Sequence, residues 1–427
     1  MRTVRPGDPG YQKLLASLDR RATTSPAVGK TVSDIIADIA RRGDAALIHY
    51  TEKFGGPRLK PSGLQVPDDE LRAAWDGLDA PTRSALRAAH RNIRDFARRS
   101  LRCNWSARNA QGARVGERFD PFQRVGIYVP GGTAPLVSTA LMTCTFAAAA
   151  RVPEIVAVTP AGRDGRVNDA LMAALHLAGA TEVYRVGGAQ AVAALALGTK
   201  TIRPVAKIFG PGNSYVVEAK RQLFGRVAVD LLPGPSEVLV IADRTANPAW
   251  VAADLLAQAE HGADSVAILL TDSAKTLAGV EREVAREAAV LPRGEILRKS
   301  LTHAALVLVR SMDEAIALAN AFASEHVSLQ VARPRDFAPK LLTSGAIFLG
   351  GYSPVAVGDF LAGPSHELPT GGAGKSFPGL TADQFQRRTS LVELDRAALA
   401  RSTPLVEAFA RVEGLQAHGR SARIRLA

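Results

Sequence analysis

Several small groups of residues in this 427-residue chain are of types and spacings that do chemistry. In the run WVAADLLAQAEHGADS, Gln258 and His261 stand three apart, which on a helix places an amide and an imidazole on one face. Such a pair offers two ligands to one metal. The plainer alternative is a helix end, because His261-Gly262 is also a common C-terminal stop. Adjacent Glu325 and His326 precede the apolar run VSLQV and bring a carboxylate and an imidazole within reach of one substrate. Imidazole titrates near neutral pH, and a partly buried glutamate is raised towards it, so the two divide base duties. A structural Glu-His pair at a helix end fits the same residues. Asp359 follows Gly358 in a loop rich in proline and glycine, His366 comes seven residues later, and His418 lies close to the C-terminus. Only eight histidines occur, which makes these positions worth comparing with a metal set of two imidazoles, a carboxylate and an amide.

Glycine turns form another group. Gly131-Gly132, Gly187-Gly188-Ala189-Gln190 and Gly210-Pro211-Gly212-Asn213 each follow an apolar run, and the last two open helix-like segments. Glycine at such a turn allows close backbone approach to a ligand and aims a helix N-terminus at phosphate. None matches G-x-G-x-x-G, so a standard dinucleotide fingerprint is absent; singly each fits an ordinary βα turn, and the three together are also compatible with a nucleotide crevice. The run Pro369 to Ser376, PTGGAGKS, imitates a phosphate-binding P-loop only at Gly374-Lys375-Ser376. Proline stands at its first glycine and SHEL is a poor core strand, so a substrate-side loop is the better reading.

The elements that must position these residues are legible from periodicity. Thr31 to Phe54 has apolar residues at helical spacing, residues 55–80 are rich in turns, and Arg83, Arg87, Arg91, Arg94, Arg98 and Arg102 form one stripe of a helix. From Arg124 the runs RVGIYV, EIVAVTP, EVYRVGG, AKIFGPG, VAVDLL, SEVLVIAD, SVAILLT, ALVLV, VSLQV and GAIFLG read as strands. Helix-like segments at 166–179, 189–198, 213–224, 247–261 and 312–324 lie between several of them. Alternation of this kind predicts βαβ units and parallel, doubly wound sheets, and ten strands suit two sheets better than one. From Thr381 the pattern predicts a helical tail ending in a short strand, ARIRL.

Composition sets the outer bounds. With 47% hydrophobic residues, 22% charged and a mean hydropathy of +0.03, the chain is a globular protein and neither a disordered polymer nor a collagen. Cys103 and Cys144 are the only cysteines, which excludes a disulfide framework or a cysteine-rich zinc module. The first residues, MRTVRPGDPGYQ, lack the apolar core of a signal peptide. The uncharged stretch Val125 to Ala150 is interrupted by Pro130, Gly131, Gly132 and Pro135, so it reads as strand, turn and helix rather than a membrane span. A cytoplasmic protein with no membrane partner is expected. The net charge of +12 is concentrated in residues 1–127, with 23 basic and 14 acidic side chains. An arginine stripe of that kind follows phosphates in some nucleic-acid binders, but without aromatic interleaving a solvated or intersubunit face is the better reading, and no nucleic-acid partner is expected.

The longer runs carry more. YVPGGTAPLVSTALM (128–142), VYRVGGAQAVAALALGT (183–199), KIFGPGNSYVVEAKRQLFG (207–225), GPSEVLVIAD (234–243) and LLAQAEH (255–261) resemble the histidinol dehydrogenase family. So do SEHVSLQV (324–331), GAIFLGGYSPVAVGDFLAGPSHELPTGG (345–372) and EGLQAHGRSARIRL (413–426). The resemblance implies two successive NAD-dependent oxidations of zinc-bound L-histidinol to L-histidine through the aldehyde, in histidine biosynthesis. It places Gln258, His261, Asp359 and His418 on one zinc ion per subunit and Glu325 and His326 on the catalytic pair. Tyr128, Gln190 and Asn213 fall on cofactor contacts. Ser236, His366 and Glu413 fall on substrate contacts, where His326 and the zinc ligands also face the substrate. The implied fold is α/β, with two Rossmann-like domains and small terminal extensions. Its expected division is an N-terminal extension (1–24), a domain carrying zinc and catalytic residues (25–127 with 236–380), an NAD-binding domain (128–235) and a tail (381–427). The tail is expected to dock on the other subunit of a homodimer and complete its site. Pro233, Ser324 and Ser365-His366-Glu367 depart from the family's usual residues without removing a functional side chain. A paralogue acting on another small alcohol, such as a sulfonated diol, is the alternative, but Glu413 suits a cationic imidazole or amine better than a sulfonate.

Overall fold

The structure, a computed structural model, describes residues 1–18, 26–131 and 135–427. Gly132 of the first glycine turn, and residues 19–24 of the expected N-terminal extension, lie outside the described residues. Two parallel sheets and one antiparallel sheet organise the mixed α/β fold.

The larger sheet has six parallel strands, in the order Arg2–Val4, Ala305–Leu308, Val266–Thr271, Glu237–Ala242, His326–Gln330 and Ala346–Leu349. Its central strands are buried on both faces, as parallel strands covered by helices must be, while the edge strands Arg2–Val4 and Ala346–Leu349 are only partly buried. Period-two alternation sorts their side chains. Val238 and Val240 pack with Val251, Leu255, Leu277 and Val280 of the helices Pro248–Ala259 and Ala274–Ala288. Leu239 and Ile241 pack on the opposite face with Ala315 and Ala319 of Met312–Phe322 and with Tyr11 and Leu18 of Tyr11–Leu18. Arg2–Val4, too short to signal a strand in sequence, pairs with Ala305–Leu308 at the sheet edge.

The second sheet has five parallel strands, in the order Glu182–Tyr184, Glu154–Val158, Arg124–Tyr128, Lys207–Phe209 and Ala228–Val229. Helices Val137–Ala149 and Asp169–Ala178 cover one face, and Gly188–Leu197 and Ser214–Leu223 the other. In both sheets the chain order reverses beside one strand, at Glu237–Ala242/His326–Gln330 and at Arg124–Tyr128/Lys207–Phe209.

Helices from the first hundred residues pack on the five-stranded sheet. Val32, Ile35 and Ile39 of Pro26–Arg42 join the core of Val156 and Val192, while Leu86 and Ile93 of Ala80–Ser100 join that of Ile127 and Leu141. Helices Pro26–Arg42 and Ala80–Ser100 therefore contribute to the core of the five-stranded sheet. The turn-rich stretch also holds a helix, Asp68–Asp76, opened by Pro67 and three acidic residues that complement its dipole. The arginine stripe is partly consumed within the chain. Arg83 donates to the Asp76 carbonyl at 3.1 Å, Arg87 lies 5.1 Å from the centre of the Trp75 ring, and Arg102, beyond the helix end, meets Asp383 at 3.3 Å.

The tail also differs from its expectation. It opens with a strand, Gln386–Glu393, antiparallel to Arg114–Pro121, which in turn pairs with Trp105–Arg108. It then forms helices Arg396–Val412 and Gln416–Arg423, so the expected terminal strand ARIRL falls mostly in the last helix and the turn after it. Helix packing decides this: buried Gly419 lets the last helix approach Ala410, and Arg423 pairs with Glu407.

Candidate active site

The larger sheet places Glu325 and His326. The helix Met312–Phe322 ends at Ala323 in the left-handed conformation (φ 53°), an uncommon backbone for a residue with a Cβ, and Ser324, Glu325 and His326 lead directly into the strand. His326 opens that strand beside the opening of Glu237–Ala242. The Glu237 backbone holds the pair from both sides. Its N–H donates to Glu325 Oε2 at 2.8 Å, and its carbonyl lies 3.2 Å from His326 Nδ1. Glu325 Oε2 is 3.7 Å from the same ring nitrogen, and His326 Nε2 is 3.3 Å from Asp359 Oδ1. Burial raises the Glu325 pKa, with His326 opposing. Burial works against a charged His326, but the carboxylates of Glu325 and Asp359 outweigh it and raise that pKa. The pair thus sits at the amino edge of the sheet, whereas ligands of open α/β sheets usually lie at the carboxyl edge.

Other elements converge on the same edge. Ser236 immediately precedes the strand Glu237–Ala242. Asp359 comes from the short helix Val355–Phe360, and its pKa is lowered: burial is outweighed by His326, then His366 and His261. Gln258 is buried near the end of Pro248–Ala259, and its side chain forms no hydrogen bond with another described residue. His261, one turn on, remains exposed, yet crowding around its ring lowers its pKa, against the attraction of Asp359 and with the repulsion of His326 and His366. His366 is fixed from two directions: Nδ1 lies 3.0 Å from the Asp359 carbonyl and Nε2 lies 2.9 Å from the hydroxyl of Thr139, on the helix Val137–Ala149 that covers the other sheet. His326, Phe348, Tyr352, Val357, Asp359 and His366 line a cavity of about 340 Å³.

The residues present fit a metal only in part within one chain. An amide, an imidazole and a carboxylate from Gln258, His261 and Asp359 are suitable donors for zinc. His418 and Glu413 do not join them: both are exposed, on the tail. Among the described residues no group of three or more His, Cys, Asp or Glu side chains is arranged to hold a metal ion.

The glycine turns meet at the carboxyl edge of the five-stranded sheet, where its chain order reverses. Tyr128 ends the central strand, and its hydroxyl accepts the Gly188 N–H at 3.1 Å at the start of Gly188–Leu197. Gln190 is buried in the first turn of that helix, and its Oε1 has no hydrogen-bond partner among the described residues. Asn213 caps Ser214–Leu223, its Oδ1 accepting from Tyr215 and Val216 at 3.1 and 3.2 Å. That cap occupies the amide oxygen and leaves its NH2 group for a ligand. Gly210 (φ 106°) lies so close to Tyr128 that a Cβ there would stand 2.1 Å from its carbonyl oxygen. Two helix N-termini therefore open on one crevice, the arrangement that receives phosphate. The run 369–376 is no P-loop: it follows no strand, and Thr370 and the Gly371 N–H are tied to Gly234 and to Glu237 Oε1.

Comparison with known proteins agrees with this geometry. The family model for histidinol dehydrogenase matches residues 18–426. The chain belongs to the histidinol dehydrogenase family. It is 46% identical over 415 residues to the histidinol dehydrogenase of Rhodopseudomonas palustris, covering 97% of this chain and 96% of that one. Identity to the histidinol dehydrogenase of Geobacillus kaustophilus is 44%, over 93% of each chain. The crystal structure of histidinol dehydrogenase from Elizabethkingia anophelis superposes with a TM-score of 0.94 at 35% identity, covering 100% of this chain and 98% of that one. As a histidinol dehydrogenase family member the protein is an oxidoreductase. Among the described residues no helix is long and apolar enough to cross a membrane. One departure from the family pattern has a local explanation: Ser324 donates its hydroxyl to the His326 carbonyl at 2.9 Å, bracing the turn that carries Glu325 and His326.

Sequence reasoning missed Glu237, Thr139 and a buried polar group beneath the site, Asp254 with Ser328 and Gln330. For Asp254 the available signal was a charged residue inside an otherwise uncharged helix.

Proposed function

We propose that the protein oxidises L-histidinol to L-histidine through L-histidinaldehyde, reducing two NAD, at a zinc site completed by a second copy of the chain. The observation that carries the reading is His326 held between the Glu237 carbonyl and Asp359, with Glu325 beside it and His261 near enough to interact with both Asp359 and His326. Gln258, His261 and Asp359 would hold zinc together with His418 of a second copy, and Tyr128, Gln190 and Asn213 would bind NAD. When bound, the metal orients the substrate and stabilises developing negative charge on its oxygen, and NAD accepts each hydride.

The chain's own residues move the protons. His326 Nε2 takes the alcohol proton as the first hydride leaves carbon. Glu325 then takes a proton from the water that adds to the aldehyde carbon, loss of the second hydride from the hydrated aldehyde gives the carboxylic acid, and its ionisation to the carboxylate releases the last proton to solvent. Ser236 and His366 orient the substrate from one chain, and Glu413 of the second copy pairs with its cationic end. The tail supports a dimeric assembly: Leu405, Phe409 and Val412 are 51%, 69% and 86% exposed at helical spacing on Arg396–Val412, an apolar stripe that a second copy would cover. A dimeric, cytoplasmic enzyme of histidine biosynthesis follows.

The deciding assay is NADH formation with L-histidinol. Two NADH per histidinol, abolished by a chelator and restored by zinc, are expected. Turnover of a sulfonated diol with none of histidinol would instead assign the chain to the paralogous activity.

A further inference from the structure

Asp254 is a buried carboxylate on the helix Pro248–Ala259, whose Val251 and Leu255 belong, with Val355, to an apolar core. Such a group is costly unless hydrogen bonds compensate it, and a core needing only to be filled would carry an apolar side chain. Its Oδ2 accepts from the Ser328 hydroxyl at 3.1 Å and from Gln330 Nε2 at 2.9 Å, and the backbone N–H of Val355 stabilises the same carboxylate.

The positions of these partners are informative. Asp254 lies four residues before Gln258 on one helix, Val355 four before Asp359 on another, and Ser328 two after His326 on the strand. Four residues on a helix and two on a strand each return to the same face. One carboxylate thus ties together the three elements that carry Gln258, His326 and Asp359.

We propose that Asp254 is a positioning residue, fixing the helix, strand and loop-helix that carry Gln258, His326 and Asp359 at the separation needed to hold zinc and oxidise the substrate, without touching either. The inference rests on the zinc site proposed above. Residues that orient metal ligands typically contribute about 10–100-fold in metal affinity or activity.

The test uses the full-length protein, with zinc affinity read by competition against a chromophoric chelator and site geometry read from the visible spectrum of the cobalt-substituted form. Asp254→Asn keeps the shape but presents an amide NH2 where donors now converge. It should weaken zinc about tenfold or more, shift the cobalt bands and lower kcat with histidinol, with the KM for NAD unmoved. Gln258→Ala separates the two readings. If it weakens zinc while Asp254→Asn leaves affinity and cobalt spectrum unchanged, the positioning role is wrong and the zinc site stands. If Gln258→Ala leaves zinc affinity unchanged, the zinc site itself is wrong and the inference goes with it. A lower melting temperature for Asp254→Asn with an unaltered cobalt spectrum would reduce Asp254 to a structural role and overturn the proposal. Should Asp254→Asn fail to fold, Ser328→Ala removes a single donor and should give a smaller loss of zinc affinity in the same direction; no loss would refute the proposal.

Discussion

A site divided between two chains has a numerical signature. His418 and Glu413 lie on the tail, apart from the Gln258, His261 and Asp359 of their own chain. Each complete site in the proposed dimer therefore takes three ligands from one chain and one from the other. Homodimers of Gln258→Ala and of His418→Ala should both be inactive. When the two are unfolded together in equal amounts and refolded, random pairing makes about half the dimers mixed. In a mixed dimer one site carries both substitutions and the other carries neither. One working site of two, in half of the dimers, is about a quarter of wild-type NADH formation with saturating histidinol. Zinc content should recover to the same fraction, which guards against recovery from contaminating wild-type enzyme. Activity that stays at the level of the separate homodimers would refute sharing, because a site built within one chain gains nothing from a mixed partner.

Other perturbations probe separate parts of the molecule. Glu325→Gln should retain much of the alcohol-to-aldehyde step and lose conversion of aldehyde to acid; equal loss of both steps in single-turnover assays would end the division of labour between Glu325 and His326. Arg124 hydrogen-bonds Glu182 and holds its carboxyl at about 2, well below its ordinary 4.5, a shift of at most about 3 kcal/mol that partial exposure cuts to roughly 1–2 kcal/mol. That stability is present above about pH 4.5 and lost as pH falls through about 2, so urea melts of Glu182→Gln should differ from wild type at neutral pH and converge on acidification. Gly210→Ala must push a Cβ against the Tyr128 carbonyl at a positive φ, a strain of about 1–3 kcal/mol, and should raise the KM for NAD about tenfold with little change in that for histidinol.

What the sequence made legible follows from how strongly each segment is constrained. The runs opening at Arg124, Glu154, Ser236 and Ser265 are fully buried strands, so near-continuous apolar residues marked them, and Gly210 and Asn213 were visible because a tight turn and a helix cap demand those residue types. Trp105–Arg108 and Arg114–Pro121 escaped notice because they pair in an exposed ribbon, where no buried face imposes alternation. ARIRL misled for the opposite reason: its alternation suits a strand, but Gly419 and Glu407 give the segment a helical partner. Gln258, His261, Glu325, His326 and Asp359 could be named individually, yet three elements distant in sequence bring them together, and only long motifs joined them beforehand. Glu237 was hidden because it acts on the bases through its backbone, which any residue possesses.

The exposure of His418 on the tail carries a thermodynamic consequence. If the fourth ligand arrives only with the second copy, zinc binds the assembled pair more tightly than the separated chain, and by reciprocity it tightens the association by the same factor. Dilution and metal scarcity then become interchangeable stresses, each shedding what the other would have shed, and either can be relieved by raising the concentration of the partner component.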